Sequence, residues 1–363
     1  MMTTDQVILE VKNHIGWIKL NRLSALNALS LEMIEVISNQ LVKWKTNDDI
    51  YMVYLSSNHP KSFCAGGDVK SLYEHSIKGD LVYPRTYLSK QYTLDYMIQN
   101  FPKPILTFID GYVFGGGVGL SIGASHMVVS EHVKLAMPET KIGFFPDVGA
   151  SYFLNKIPHH VGRYMGILGP VLSDSDLVYL NIADYVIKHD LWENIENTLF
   201  EHPFKAIGTH EQLSMFLKLY AAQDIQTSII ETHVRSIEKV FSKDTIMDMF
   251  DSIDLDIPFE VELRSKFLEM SPTAMNFTLE MLKRTQKLSL FECFKFEQLL
   301  SEQVIHTHDF KEGVRSLLVD KDKAFDYQPK ALSDVNKDEI DTLFKFDIHH
   351  PHLMDELIKD YET

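Results

Sequence analysis

The stretch Ile109-Asp110-Gly111-Tyr112-Val113-Phe114-Gly115-Gly116-Gly117-Val118-Gly119-Leu120-Ser121 decides how the rest of the chain is read. It follows Pro104 to Ile109, an apolar, strand-sized run that ends on the turn signal Asp110-Gly111. Small residues then lead into a helix. Three glycines at a helix start cost conformational entropy, so something must require the bare backbone there. Amides at such a turn are unpaired and carry the positive end of the helix dipole, so they can stabilise an oxyanion. Dinucleotide and P-loop readings fail on the residues. G-x-G-x-x-G would need glycine at Leu120 or Ile122, and no Lys-Ser or Lys-Thr follows at P-loop spacing. Gly119-Leu120-Ser121-Ile122-Gly123 matches the nucleophile-elbow pattern, which must sit directly on a strand-to-helix turn. With the strand ending near Ile109, Ser121 reads as a packing residue inside the helix.

Upstream, Val7 to Val11 and Ile15 to Leu20 read as a hairpin, and Ser30 caps a helix running to about Lys45. Tyr51 to Ser56 reads as a strand, with helices after Asp68 and over roughly 85–100. Met127 to Ser130 and Val133 to Ala136 read as short strands. Residues 1–204 therefore alternate strands and helices, an α/β unit. Residues 205–363 read as a separate helical region: Glu211 to Ala222, Ile225 to Phe241, Phe259 to Glu269, Ala274 to Arg284 and Leu290 to Thr307. The charged end of the chain reads as a solvated surface tail.

Composition sets the boundaries. The 363 residues are 45% hydrophobic and 24% charged, which excludes a disordered or fibrous chain. Fifty-one acidic against 35 basic residues give a net charge of −16, which disfavours nucleic acid and anionic membrane as partners. No apolar run reaches membrane-spanning length. Two cysteines, Cys64 and Cys293, exclude a disulfide framework and point to a reducing compartment. The first twenty residues have no basic, apolar or Arg-rich leader pattern, so the expected location is cytoplasmic. Sixteen histidines fall into no metal-ligand spacing, and His159-His160 and His349-His350 read as surface residues; no metal is expected.

Two further stretches carry chemistry. Phe63-Cys64-Ala65-Gly66-Gly67-Asp68 is a small-residue turn in which Asp68 can cap the next helix. In Met137-Pro138-Glu139-Thr140-Lys141-Ile142-Gly143-Phe144-Phe145-Pro146-Asp147-Val148-Gly149, two acids each follow a proline and lie among apolar residues. Proline fixes the local backbone, and an apolar setting raises a carboxyl pKa toward the range useful for acid–base work. Taken alone, Asp147 could merely cap a helix and Glu139 could be an exposed turn residue. Two such acids downstream of two glycine turns favour a site.

Together these stretches resemble the crotonase (enoyl-CoA hydratase/isomerase) superfamily, and within it the 3-hydroxyisobutyryl-CoA hydrolase branch. The resemblance continues through Ala183-Asp184-Tyr185-Val186, Met270-Ser271-Pro272-Thr273, His308 to Arg315 and Leu318 to Asp322. It implies a ββα spiral of two sheets with surrounding helices, and a helical C-terminal region covering an acyl pocket. It implies an acyl-CoA thioester hydrolase whose only coenzyme is the CoA of its substrate, and a possible homo-oligomer. Gly67 and Gly116 match the oxyanion-hole positions, Glu139 the catalytic glutamate and Asp147 the aspartate that meets the acyl hydroxyl. Ala65, Asp68, Phe114 and Gly115 fall on the substrate-binding turns. Hydratases carry their first catalytic glutamate where this chain has Gly119, and the hydrolase glutamate of the acyl pocket is matched by Gln91. Glu139 is left as either general base or nucleophile. An enoyl- or dienoyl-CoA isomerase and a non-catalytic interaction protein are the alternatives. Cations for the CoA phosphates are expected around Arg22, Lys61, Lys70, Lys283 and Arg284.

Overall fold

Asn13 and His14, with φ of 50° and 61°, close the tight turn between β1 (Val7–Lys12) and β2 (Ile15–Leu20), the one antiparallel strand pair among the described residues. The computed structural model describes residues 4–205 and 208–362. From β2 onward the strands pair in parallel, and they are shared between two sheets. The chain runs through β3 (Met52–Ser57), β4 (Ser62–Cys64), β5 (Ile105–Ile109), β6 (Tyr112–Phe114), β7 (His126–Val129), β8 (Lys134–Ala136) and β9 (Tyr185–Val186). The larger sheet has the order β1-β2-β3-β5-β7-β9, extended from β3 on by odd-numbered strands, while β4, β6 and β8 make the smaller one. Each pass thus lays one strand in each sheet before a connecting segment, which is the ββα spiral. The strands β5 and β7 are buried along their whole length, which is why they read as continuous apolar runs.

Helix α1 (Leu31–Lys45) starts where Ser30 accepts from the Met33 amide at 3.2 Å. Asp68 likewise caps α2 (Val69–Ile77) through the Ser71 amide. Helix α3 (Val82–Gln99) lies alongside α1, and α4 (Gly116–Ile122) opens on the glycine cluster. The strand β5 stops at Ile109 as the sequence reading expects, but a second short strand, β6, which that reading did not find, ends at Phe114 directly before that cluster. Ser121 nevertheless lies inside α4, buried, donating to the carbonyls of Gly117 and Val118. It is no exposed nucleophile.

The later helices include Thr209–Lys218, Ile229–Phe241, Pro258–Phe267, Pro272–Thr285 and Leu290–Val304. The expected solvated tail is corrected in part. It ends in the helix Leu353–Glu362, whose Met354, Ile358 and Tyr361 are buried at helical spacing and pack on α3. Its high charge belongs to the opposite face of an amphipathic helix.

Candidate active site

The two glycine turns touch. Gly66, at φ 117°, hands its carbonyl to the Leu29 amide, and the Asp68 amide donates back to the Leu29 carbonyl. A Cβ on Gly116 would lie 3.0 Å from the Gly67 nitrogen and 2.6 Å from Nε2 of Gln91. A Cβ on Gly67 would lie 2.9 Å from the Tyr87 hydroxyl and 3.2 Å from Oε1 of Gln91. Bare backbone is therefore a steric requirement at both positions. Neither the Gly67 nor the Gly116 amide finds an acceptor among the described residues. Two unpaired N–H groups side by side are what a developing oxyanion needs.

Glu139 reaches this turn from the spiral's next pass. It begins the short 3-10 helix Glu139–Ile142, and its Oε1 lies 2.6 Å from the Cβ position of Gly115. It is 8% exposed, and its Oε2 has no partner among the described residues. Burial, reinforced by the nearby charge of Asp147, pushes its carboxyl well above the usual range. Asp147, 7% exposed, accepts from the Tyr92 hydroxyl at 2.7 Å. Burial raises it to about 6, the Tyr92 hydrogen bond working in the opposite direction. Neither acid plays the bland role available from sequence. Glu139 is no exposed turn residue, and the helix after Asp147 begins only at Ala150, with no side-chain cap. Burial raises both carboxyls, the direction that suits acid–base work.

The wall behind the pair comes from α3 and from the C-terminal helix Leu290–Val304. Gln91, 2% exposed, fills the space beside Gly67 and Gly116. Glu297 is buried and accepts from the Gly149 amide (2.7 Å), the Ser151 amide (2.8 Å) and the Ser151 hydroxyl (2.6 Å), fixing the loop that carries Asp147. A Cβ on Gly119 would meet Oδ2 of Asp95 and Cβ of Val148, each at 2.7 Å. Tyr92, Asp95 and Glu297 were not singled out from sequence. For Asp95 the available signal was its place four residues on from Gln91, on the same face of the helix; Tyr92 had only its adjacency to Gln91. Glu297 had no signal.

The remaining candidates divide. Gly115 and Phe114 line the turn, the Phe114 carbonyl lying 3.5 Å from the Cβ position of Gly66. Ala65 is half-buried, its amide donating to Leu26. Asp68 is engaged as a helix cap and in a 2.9 Å ion pair with Arg22. Arg284 pairs with Glu280 and Asp341, and Lys283 with the Asp244 carbonyl. One His/Asp group with metal-like spacing exists among the described residues, Asp110 with His132 and His189. Both imidazoles lie within 3.2 and 3.3 Å of the Asp110 carboxylate, past the ends of β5, β7 and β9. Two clefts, of about 340 and 450 Å³, contain none of the residues of the glycine turns or the acid pair.

The spiral of paired strands, with a glycine turn from two successive passes facing acids from the third, defines a crotonase-type α/β protein. The sequence matches the enoyl-CoA hydratase/isomerase family over residues 15–344, and the chain belongs to that family. It is 35% identical over 332 residues to the mitochondrial 3-hydroxyisobutyryl-CoA hydrolase of Xenopus laevis, spanning 91% of this chain and 86% of the relative. It is 32% identical over 348 residues to that of Homo sapiens, spanning 94% and 89%. The crystal structure of a carnitinyl-CoA dehydratase from Mycobacterium thermoresistibile matches with a TM-score of 0.88 at 29% identity, covering 96% of this chain and 98% of that one. The cytoplasmic expectation is overturned, because these hydrolase relatives are mitochondrial. It rested on finding no leader pattern in the first twenty residues and on the reducing character of two free, buried cysteines, and a reducing interior is not peculiar to the cytoplasm.

Proposed function

We propose that this protein hydrolyses acyl-CoA thioesters, with 3-hydroxyisobutyryl-CoA as substrate and 3-hydroxyisobutyrate and CoA as products, a step in valine breakdown. The observation that carries this reading is the pair of unpaired amides, Gly67 and Gly116, facing Glu139 in a chain similar to such hydrolases over most of its length. The thioester carbonyl enters the space before the two amides, which polarise it and hold the tetrahedral oxyanion. Glu139 activates water or attacks the carbonyl itself. Asp147 meets the acyl hydroxyl, and the proton given up by the reacting water goes to the departing CoA sulfur, by way of Glu139 where it acts as the base. CoA arrives and leaves as part of the substrate, so no separate cofactor is needed.

Hydration in the manner of family hydratases is disfavoured by Gly119. That position has no side chain, and a Cβ there would collide with Asp95 and Val148. An isomerase would release no thiol. The test is a CoA-release panel on 3-hydroxyisobutyryl-, 3-hydroxypropionyl-, 3-hydroxybutyryl- and crotonyl-CoA, run beside Glu139→Gln. Preference for 3-hydroxyisobutyryl-CoA, with release abolished but ligand-induced thermal stabilisation kept in the variant, is the expected result. Full activity in Glu139→Gln sinks the assignment.

A further inference from the structure

On the face of α3 that looks toward the site, Gln91 is uncharged, and the acid appears one turn later as Asp95. Asp95 is 0% exposed, and neither of its carboxylate oxygens has a hydrogen-bond partner among the described residues. Its Oδ2 and Cγ lie 2.7 and 2.8 Å from the Cβ position of Gly119, beside the Val148 side chain. Val148 follows Asp147 directly and holds a φ of 57°, a costly conformation for a β-branched residue. Asp95 therefore stands immediately behind the helix that opens on the glycine turn and the loop that carries Asp147. An unpaired carboxylate in such a place is among the costliest of buried groups. Its surroundings add to that cost. Asp147 acts on it from its loop, Glu297 from the helix Leu290–Val304 and Cys64 from β4, while Tyr92 stands a turn away on α3 bonded to Asp147. All four are acids, and none of them can neutralise it as a counter-ion. Two carboxylates sharing one dry site do not both ionise.

We propose that Asp95 is a positioning residue for Asp147: a carboxyl kept as the neutral acid in the wall behind it, so that it sets no charge of its own against Asp147 until it loses its proton and activity fails on the alkaline side. An asparagine would fill the same volume without ionising, so the acid is a poor choice for packing alone. Its thermodynamic sign is fixed. Unfolded Asp95 ionises near about 3.9. The folded chain keeps that proton, so folding must take one up above that pH, and the penalty grows as pH rises. Asp95 thus lowers stability at neutral pH, and the loss widens toward alkaline pH.

The activity part of this proposal rests on the hydrolase reading; the protonation part does not. The experiment compares full-length wild type with Asp95→Asn, and with Asp95→Ser in case the first fails to fold. Three results are expected. The variant's Tm exceeds that of wild type by a margin that widens between about pH 5 and about pH 9. The infrared difference spectrum between the two shows the C=O band of a protonated carboxyl at neutral pH. In CoA release from 3-hydroxyisobutyryl-CoA, the acidic limb of the kcat/KM profile stays in place while the alkaline limb moves up by about one pH unit or more. A constant Tm margin without the infrared band overturns the neutral acid. Superimposed pH profiles, or an alkaline limb that moves only in Glu297→Gln, overturn the link to Asp147. If wild type releases no CoA from any thioester, the hydrolase reading fails alone, and the thermal and infrared results still decide the state of Asp95.

Discussion

Tyr92 on α3 donates a 2.7 Å hydrogen bond to Oδ2 of Asp147, a residue 55 positions further along the chain. Glu297 grips the same loop from the other side through the Gly149 amide. Between these anchors, Val148 and Gly149 hold φ values of 57° and 86°. The acid is thus set on a strained turn that two distant elements keep in place.

Removing the Tyr92 hydroxyl tests what that bond does. It favours the charged form of Asp147 against burial, so Tyr92→Phe should raise the Asp147 midpoint above its present value of about 6. The acidic limb of kcat/KM moves to higher pH and the rate at neutral pH falls. Packing is retained, so Tm should change by only a few degrees, at most about 4 °C. An acidic limb that stays put would detach Tyr92 from this titration.

Gly116→Ala addresses the amides. The added methyl meets Nε2 of Gln91 at 2.6 Å and the Gly67 nitrogen at 3.0 Å, displacing one turn from the other. Loss of an oxyanion donor costs about 10²–10³ in kcat, and that is the expected loss in CoA release. A KM change with kcat intact would show that the turn binds substrate without stabilising the transition state.

Gly119→Glu restores the hydratase residue type at its usual position. The new side chain meets Asp95 and Val148 at its first carbon. Expected are a destabilisation of about 1–3 kcal/mol from overpacking and no crotonyl-CoA hydration. Hydration measured by loss of the enoyl absorbance would show that position 119 alone separates the two activities.

Glu297→Gln probes the clamp and carries a signed pH dependence. Gln offers one acceptor oxygen where Glu297 uses two, so one donor, at Gly149 or Ser151, faces an NH₂ group. An unsatisfied buried donor costs about 1–3 kcal/mol, and Tm falls accordingly at acid pH. Burial raises Glu297 to about 8 in the folded chain. Wild-type stability from this group is therefore present at acid pH and is lost as pH rises from the ordinary carboxylate range through about 8. The gap between variant and wild type should narrow across that window. A gap independent of pH would show that Glu297 does not titrate there.

Much of the spiral was legible because its signals are local. The strands β5 and β7 are continuous apolar runs, Ser30 and Asp68 announce helix starts, and the glycines at 115–117 mark a turn that needs bare backbone. The strands β4 and β6 were missed because each is three residues long and runs straight into a glycine turn, whose signal dominates the reading. The helix Leu353–Glu362 was missed because its charge density hid the apolar spacing of Met354, Ile358 and Tyr361.

The sequence by itself determined the α/β order, the two glycine turns and the two proline-set acids, Glu139 and Asp147, since each depends on neighbours within a few residues. Only the tertiary structure decided that Gln91 wedges between Gly67 and Gly116, that Asp95 closes the space at Gly119, and that Glu297 reaches back 148 positions to hold Gly149. It also decided that both acids are buried, which sets their proton affinities. The reason is physical. Turn chemistry and helix caps are settled by short-range sterics and hydrogen bonds, whereas burial and the company of other carboxyls arise only when passes of the spiral far apart in sequence close on one another.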